Sequence, residues 1–249
     1  MAVADARERE LDPAPPPPLR PGVDVPRVTT ATTWIIVLNV VVFVLDRFLL
    51  RHGIGYQVRT PQFQMIMPPL EFWGHFSEVF AVDRFQVWRF LTFQFIHADL
   101  NHLIFNMLTL YFFGPMVEEE LTRRQFIPFY LLSGIGGAVM YLVLLVVGFH
   151  VGSPFVPLLG ASAGIFGVLV AAAQIAPDED ALVFGIIPVP LHRLAYLFIL
   201  YALFTVLFQG ANAGGEAAHL GGAVVGYWLI QQRGLLERIA WLGKRAPPF

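Results

Sequence analysis

The chain of 249 residues is 56% hydrophobic and only 14% charged, with a mean hydropathy of +0.63, more apolar side chain than one soluble core requires, so the composition favours a multi-span membrane protein. A formal charge of -2 and the lack of any basic run interleaved with aromatics argue against nucleic acid as a partner. With no cysteine, disulfides, thiol nucleophiles and thiolate metal sites are excluded, and any chemistry falls to Ser, His, Asn, Asp or Glu.

Residues 1–27 mix charges with the run "PPPP" and suit neither a secretory signal nor a transit peptide; they read as a disordered, proline-rich arm. Six apolar stretches of bilayer-spanning character follow. The first covers about 32–50, with Trp34 near one interface and Asp46 and Arg47 near the other. The connection 51–101 is amphipathic, and "FWGHFSEVF" and "DRFQVWRFLTFQF" mix aromatics with one-sided polar residues, as expected of segments lying in the membrane interface. The second stretch starts near His102 and ends at the acidic run Glu118 to Glu120, read as a solvated surface. The third runs over 125–149, the fourth over 160–176, the fifth over 191–209 and the sixth over 216–231, and residues 233–249 form a short polar tail. The expected fold is an all-α membrane protein, with a six-span unit over 28–232.

Positive charge fixes the expected orientation. Arg7, Arg9, Arg20 and Arg27 precede the first span, Arg123 and Arg124 follow the second, Arg193 precedes the fifth, and Arg233, Arg238, Lys244 and Arg245 follow the sixth. All fall on one side of a six-span chain, which makes both termini cytoplasmic. Arg59, Arg84 and Arg89 in the first connection run against this pattern, but long segments obey the rule poorly.

Polar groups at membrane depth are costly and point to function. "HADLNHLIFNML" stacks His102 and Asn106 on one helix face with His97 just before it. "GASAGIFG" sets Ser162 among Gly160, Gly164 and Gly167, spaced as a smooth helix strip, and "EAAHLGGAVVG" sets His219 on a face with Gly222 and Gly226. Taken singly, Ser162 is a packing residue. Taken together, a serine, a histidine base and the donors His102, Asn106 and the Ser162 N–H are the parts of an acyl-transfer site. No acid is clearly placed to orient His219, so a dyad is expected, with Glu216 the nearest candidate but placed at the mouth of the span.

Other chemistries stay open on these residues. "GASAG" satisfies the nucleophile-elbow pattern of soluble hydrolases, but the strand and helix alternation of that fold is missing. His97, His102 and His219 are possible metal ligands, yet there is one E-x-x-H and no H-E-x-x-H. A channel or transporter would use the same polar groups to line a path, against which stand the lack of an inverted repeat and of a charged ring.

These motifs resemble the rhomboid family of intramembrane serine proteases. "VWRF" resembles its Trp-Arg pair, "HADLNHLIFNM" its H-x(4)-H-x(3)-N signature, "GASAG" its G-x-S motif and "AHLGGAVVG" its A-H-x-x-G-x-x-x-G motif. The resemblance implies that Ser162 is the nucleophile and His219 the base of a dyad, with His102 and Asn106 as oxyanion donors. It implies supporting roles for His97, Gly160, Gly222, Trp88 and Arg89, and a ring at Phe166 packed on the catalytic histidine. It further implies a serine endopeptidase without cofactor or metal, acting in the bilayer on other transmembrane proteins; a catalytically inactive relative that binds membrane clients is the alternative. The expected setting is a bacterial plasma membrane, and the oligomeric state is left open. Ala163 departs from the glycine that many members carry after the serine.

Overall fold

A computed structural model describes residues 30–61, 64–149, 151–183 and 185–242, so the expected proline-rich arm lies outside the described residues. Each of the six apolar stretches forms a helix: α1 (Ala31–Arg51), α4 (Leu100–Glu120), α5 (Arg123–Val146), α6 (Ser162–Ile175), α7 (Leu191–Leu207) and α8 (Ala213–Gln231). Of these, α1, α4 and α5 are long and apolar enough to cross a membrane, whereas α6 and α7 are shorter apolar helices. Helix starts follow local capping chemistry. The Thr30 side chain accepts from the Thr33 N–H, the Asp99 side chain accepts from the His102 N–H, and Thr122 and Gln125 form a capping box at α5. The Asp99 cap sets the register of α4, so that His102 and Asn106 fall in its first two turns.

The long connection between α1 and α4 is folded. It holds a hairpin of β1 (Tyr56–Arg59) and β2 (Gln64–Met67), the short helices α2 (Pro69–Gly74) and α3 (Arg89–Thr92), a π-helical turn at Val79–Asp83 and a 3₁₀ turn at Phe93–Phe95. A second hairpin, β3 (Asp180–Val183) with β4 (Ile187–Pro190), joins α6 to α7. The fold is mostly helical, as expected, with these two small hairpins besides. Each strand is only four residues long, β1 to β3 mix polar with apolar side chains, and Gly185 takes φ +74° in the turn between β3 and β4. The tail also differs from a plain polar segment. Its first part forms α9 (Arg233–Leu242), which packs on α5 and buries Leu236 completely.

Hydrogen bonds set the polarity of the bundle. Glu118, at the end of α4, accepts from the N–H groups of Ala31 and Thr32 at 2.6 and 2.9 Å and from the Thr32 hydroxyl at 2.7 Å. Arg233 pairs with Glu120. The start of α1, the end of α4 and the start of α9 therefore share one end of the molecule, and the acidic run is a tie between helices, not only a solvated surface. The starts of α4, α6 and α8 meet at the opposite end, around one cavity.

The central packing is α8 against α5 and α6. It depends on missing side chains. A Cβ at Gly222 would strike the Ala163 backbone, one at Gly226 the Gly167 backbone, and one at Gly221 the Gly136 carbonyl. Small residues let helix backbones reach this separation. Gly160 behaves otherwise than a helix strip requires: it precedes α6 and has φ +126°, a conformation open to glycine because no Cβ clashes there.

Candidate active site

Ser162 is the first residue of α6, so its N–H is one of the helix amides with no partner inside the helix. His219 lies in the second turn of α8, across the glycine contact. Close approach of the two helices brings His219 Nε2 to 2.8 Å from Ser162 Oγ, a hydrogen bond of ordinary length. The His219 ring is held from its face as well. Phe166, one turn beyond Ser162, stacks on it with centroids 4.2 Å apart and planes 10° apart.

The other ring nitrogen also has a partner. Glu216 Oε2 lies 2.8 Å from His219 Nδ1, and Glu216 is 6% exposed, not at a solvated mouth. The expected dyad is thus, in geometry, a chain of three: carboxylate, imidazole, hydroxyl. The signal was the three-residue spacing of E-x-x-H, which puts both side chains on one helix face.

His102, Asn106, Ser162 and His219 all line a single cavity of about 820 Å³, together with Phe105, Phe166, Phe198 and the α8 start from Asn212 to Gly215. Asn106 is buried, and its Nδ2 donor has no hydrogen-bond partner among the described residues. Gly160 explains how His102 fits. A Cβ there would lie 2.7 Å from His102 Nε2 and 3.6 Å from Ser162 Oγ, so the chain passes directly under the histidine on its way to the serine.

The supporting residues divide. His97, in the connection before α4, packs its ring edge-on against His102 with centroids 5.0 Å apart, and its Nε2 receives a long contact of 3.5 Å from the Ala161 N–H. Burial pushes the His97 ring down to about 3, so it is neutral at physiological pH. Trp88 and Arg89 lie elsewhere. Arg89 is fully buried and donates to the carbonyls of His75 and Phe72 at 2.6 and 2.9 Å and to Gln86 at 2.7 Å, with Phe80 under its guanidinium at 4.6 Å. Burial lowers Arg89 to about 10, still charged at neutral pH. Half-exposed Trp88 donates to the Trp73 carbonyl at 3.2 Å. The pair braces the folded connection and lines no part of the cavity. That connection reaches the site through its backbone: Phe76 and Leu158 exchange hydrogen bonds of 2.8 and 2.7 Å, tying it to the segment that leads into Gly160.

Ala163 fits without strain. It is not among the non-glycine residues with positive φ, and its methyl packs toward Gly137. Among the described residues no group of three or more His, Asp or Glu side chains is arranged to hold a metal ion.

A serine hydrogen-bonded to a histidine thus sits inside a helical, membrane-type bundle. The Rhomboid domain profile matches residues 84–232, and the chain belongs to the rhomboid family, an integral membrane protein family. It is 27% identical over 173 residues to RHOMBOID-like protein 12, mitochondrial, of Arabidopsis thaliana, covering 61% of this chain and 51% of that protein. It is 31% identical over 158 residues to presenilin-associated rhomboid-like protein A, mitochondrial, of Danio rerio, with coverage of 62% and 38%. With rhomboid protease GluP of Bacillus subtilis it shares 30% identity over 159 residues, 64% of this chain and 28% of that protein. The matches thus span about half or less of these relatives.

Proposed function

We propose that the protein is an intramembrane serine endopeptidase that cleaves a peptide bond in or near a transmembrane helix of other membrane proteins. The observation that carries this reading is the 2.8 Å hydrogen bond between Ser162 Oγ and His219 Nε2 at the wall of the shared cavity. Ser162 Oγ attacks the scissile carbonyl carbon while His219 takes the hydroxyl proton and passes it to the departing amine. Water then attacks the acyl-enzyme, His219 takes its proton, and the hydroxyl of Ser162 is restored as the acid product leaves. The oxyanion of each tetrahedral intermediate is received by Asn106 Nδ2, the His102 ring and the Ser162 N–H. The unpartnered Asn106 donor supports this role, because a buried donor without a partner is expensive unless a ligand uses it.

In this reading six helices span the bilayer, and the arginine-bearing end faces the cytoplasm with both termini. A bacterial plasma membrane suits that orientation, given a bacterial protease among the relatives. The cavity then opens toward the opposite side, where water is available, and the folded α1–α4 connection lies in the interface beside it. Ser162→Ala is expected to abolish cleavage of a model transmembrane substrate in purified, reconstituted protein; undiminished cleavage refutes the assignment. A serine-directed fluorophosphonate should label the wild type and not Ser162→Ala. Folded wild type that takes no label favours an inactive member that binds membrane clients.

A further inference from the structure

We infer that Glu216 is a positioning residue for His219, so that the reacting unit is a Ser–His–Glu chain; this rests on the protease reading above. The His219 ring is restrained on three sides: Phe166 lies against its face, Ser162 Oγ meets Nε2, and Glu216 Oε2 meets Nδ1 at 2.8 Å. A carboxylate accepts and does not donate, so the proton of the neutral imidazole sits on Nδ1. Nε2 is then left with the lone pair that must take the serine proton. Without the acceptor the ring is free to carry its proton on Nε2, where it cannot act as base.

The backbone supports the same role. Glu216 N–H donates to the Asn212 carbonyl at 3.0 Å, and Asn212 begins the helix in the left-handed conformation at φ 66°. The start of α8 is also covered, since a Cβ at Gly214 would lie 2.5 Å from the Val151 carbonyl oxygen and 2.8 Å from the Tyr141 ring. Glu216 itself is 6% exposed, so its carboxylate is held out of bulk water and against the imidazole. When His219 takes the serine proton, the same carboxylate faces the imidazolium and stabilises it, as the acid of a catalytic triad does.

The test uses the full-length protein in detergent or liposomes, with active sites counted by fluorophosphonate titration. Glu216→Gln keeps the shape and loses the obligate acceptor. It is expected to lower kcat at least tenfold with KM within twofold of wild type. Glu216→Ala should lose up to about 10⁴-fold, the size of loss that follows when the acid of a Ser–His–Asp triad is disabled. ¹⁵N spectra of the histidine rings provide a second readout, independent of turnover: His219 should be protonated at Nδ1 in the wild type and lose that single tautomer in Glu216→Gln. Wild-type kcat per titrated site in Glu216→Gln, or an unchanged His219 tautomer, overturns the inference. If Glu216→Ala does not fold, the Gln variant decides alone. If the wild type neither cleaves nor takes label, the protease reading fails, and the tautomer of His219 still decides the role of Glu216.

Discussion

Gly222→Ala is the sharpest test of how the fold builds the site. The new Cβ would lie 2.7 Å from the Ala163 carbonyl carbon and 3.1 Å from its Cα, and closer still to its carbonyl oxygen. Carbon atoms rest at about 3.5–4.0 Å, so α6 and α8 must part by about 1 Å. His219 sits three residues before Gly222 on the same face and moves with it. A shift of that size stretches the 2.8 Å bond to Ser162 beyond hydrogen-bond range. Displacement of a reacting group by about 1 Å costs on the order of 10²-fold in rate, or roughly 2.7 kcal/mol of barrier. Folding stability should drop by about 1–3 kcal/mol, as for other overpacked contacts. The assay is kcat and KM on a model transmembrane substrate, normalised to folded protein, beside Gly226→Ala. That second change meets the Gly167 backbone two turns from His219 and should destabilise the protein while lowering kcat far less. Ala163→Gly should not rescue Gly222→Ala, because the atoms struck belong to the backbone. A kcat within threefold of wild type in folded Gly222→Ala, or rescue by Ala163→Gly, refutes the reasoning.

Asn106→Leu should lower kcat by about 10²- to 10³-fold with little change in KM, while the melting temperature holds or rises, because the buried Nδ2 lacks a protein partner; parallel activity and melting curves check it, and a matching loss of stability counts against an oxyanion role. The connection before α4 should lose stability in acid. His75 is buried, donates through Nδ1 to the Glu71 carbonyl at 2.8 Å, and is lowered to about 4, mainly by burial, with the Arg89 charge adding to it. Its neutral form is favoured by the fold, so the contribution is complete above the unfolded value near 6.5 and is lost as pH falls towards 4, roughly 3 kcal/mol in total. His75→Asn keeps a donor and does not titrate; thermal-inactivation midpoints from pH 7 to 4 should fall less steeply in that variant, and an identical slope would place the sensitivity elsewhere.

The sequence carried the site further than it carried the fold around it. Ser162, His219, His102 and Asn106 stand out as candidates because each is a polar group in an apolar run, and such groups have few reasons to be there. The E-x-x-H spacing puts Glu216 on the His219 face but does not give its depth. The depth of a residue near a helix start depends on how the rest of the chain packs around it, and Glu216 is buried beside His219. The strip of glycines before and within α6 misled in the same way. Periodicity put Gly160 on the helix with Gly164 and Gly167, whereas the chain is not yet helical there and the residue is needed for its φ. Trp88 and Arg89 were recognisable as a motif, but only the tertiary structure shows that Arg89 staples carbonyls of its own connection, away from the cavity.

Three helix starts meeting at one cavity give the arrangement an electrostatic logic. Ser162 opens α6, His102 is in the first turn of α4, and Ala213 to Gly215 at the start of α8 line the same wall. A helix N-terminus carries about half a positive charge and unpaired N–H groups. All three suit the negative charge that the proposed acyl transfer would place on the carbonyl oxygen, in a setting where apolar walls screen it poorly. Glu216 stands in the first turn of α8, the place on a helix where a carboxylate is most easily held. In the proposed mechanism the helix start that favours the oxyanion also holds the acid that orients the base. The two roles separate by experiment: loss of Glu216 should act through the tautomer of His219, while loss of Asn106 should leave that tautomer unchanged and act on the transition state alone.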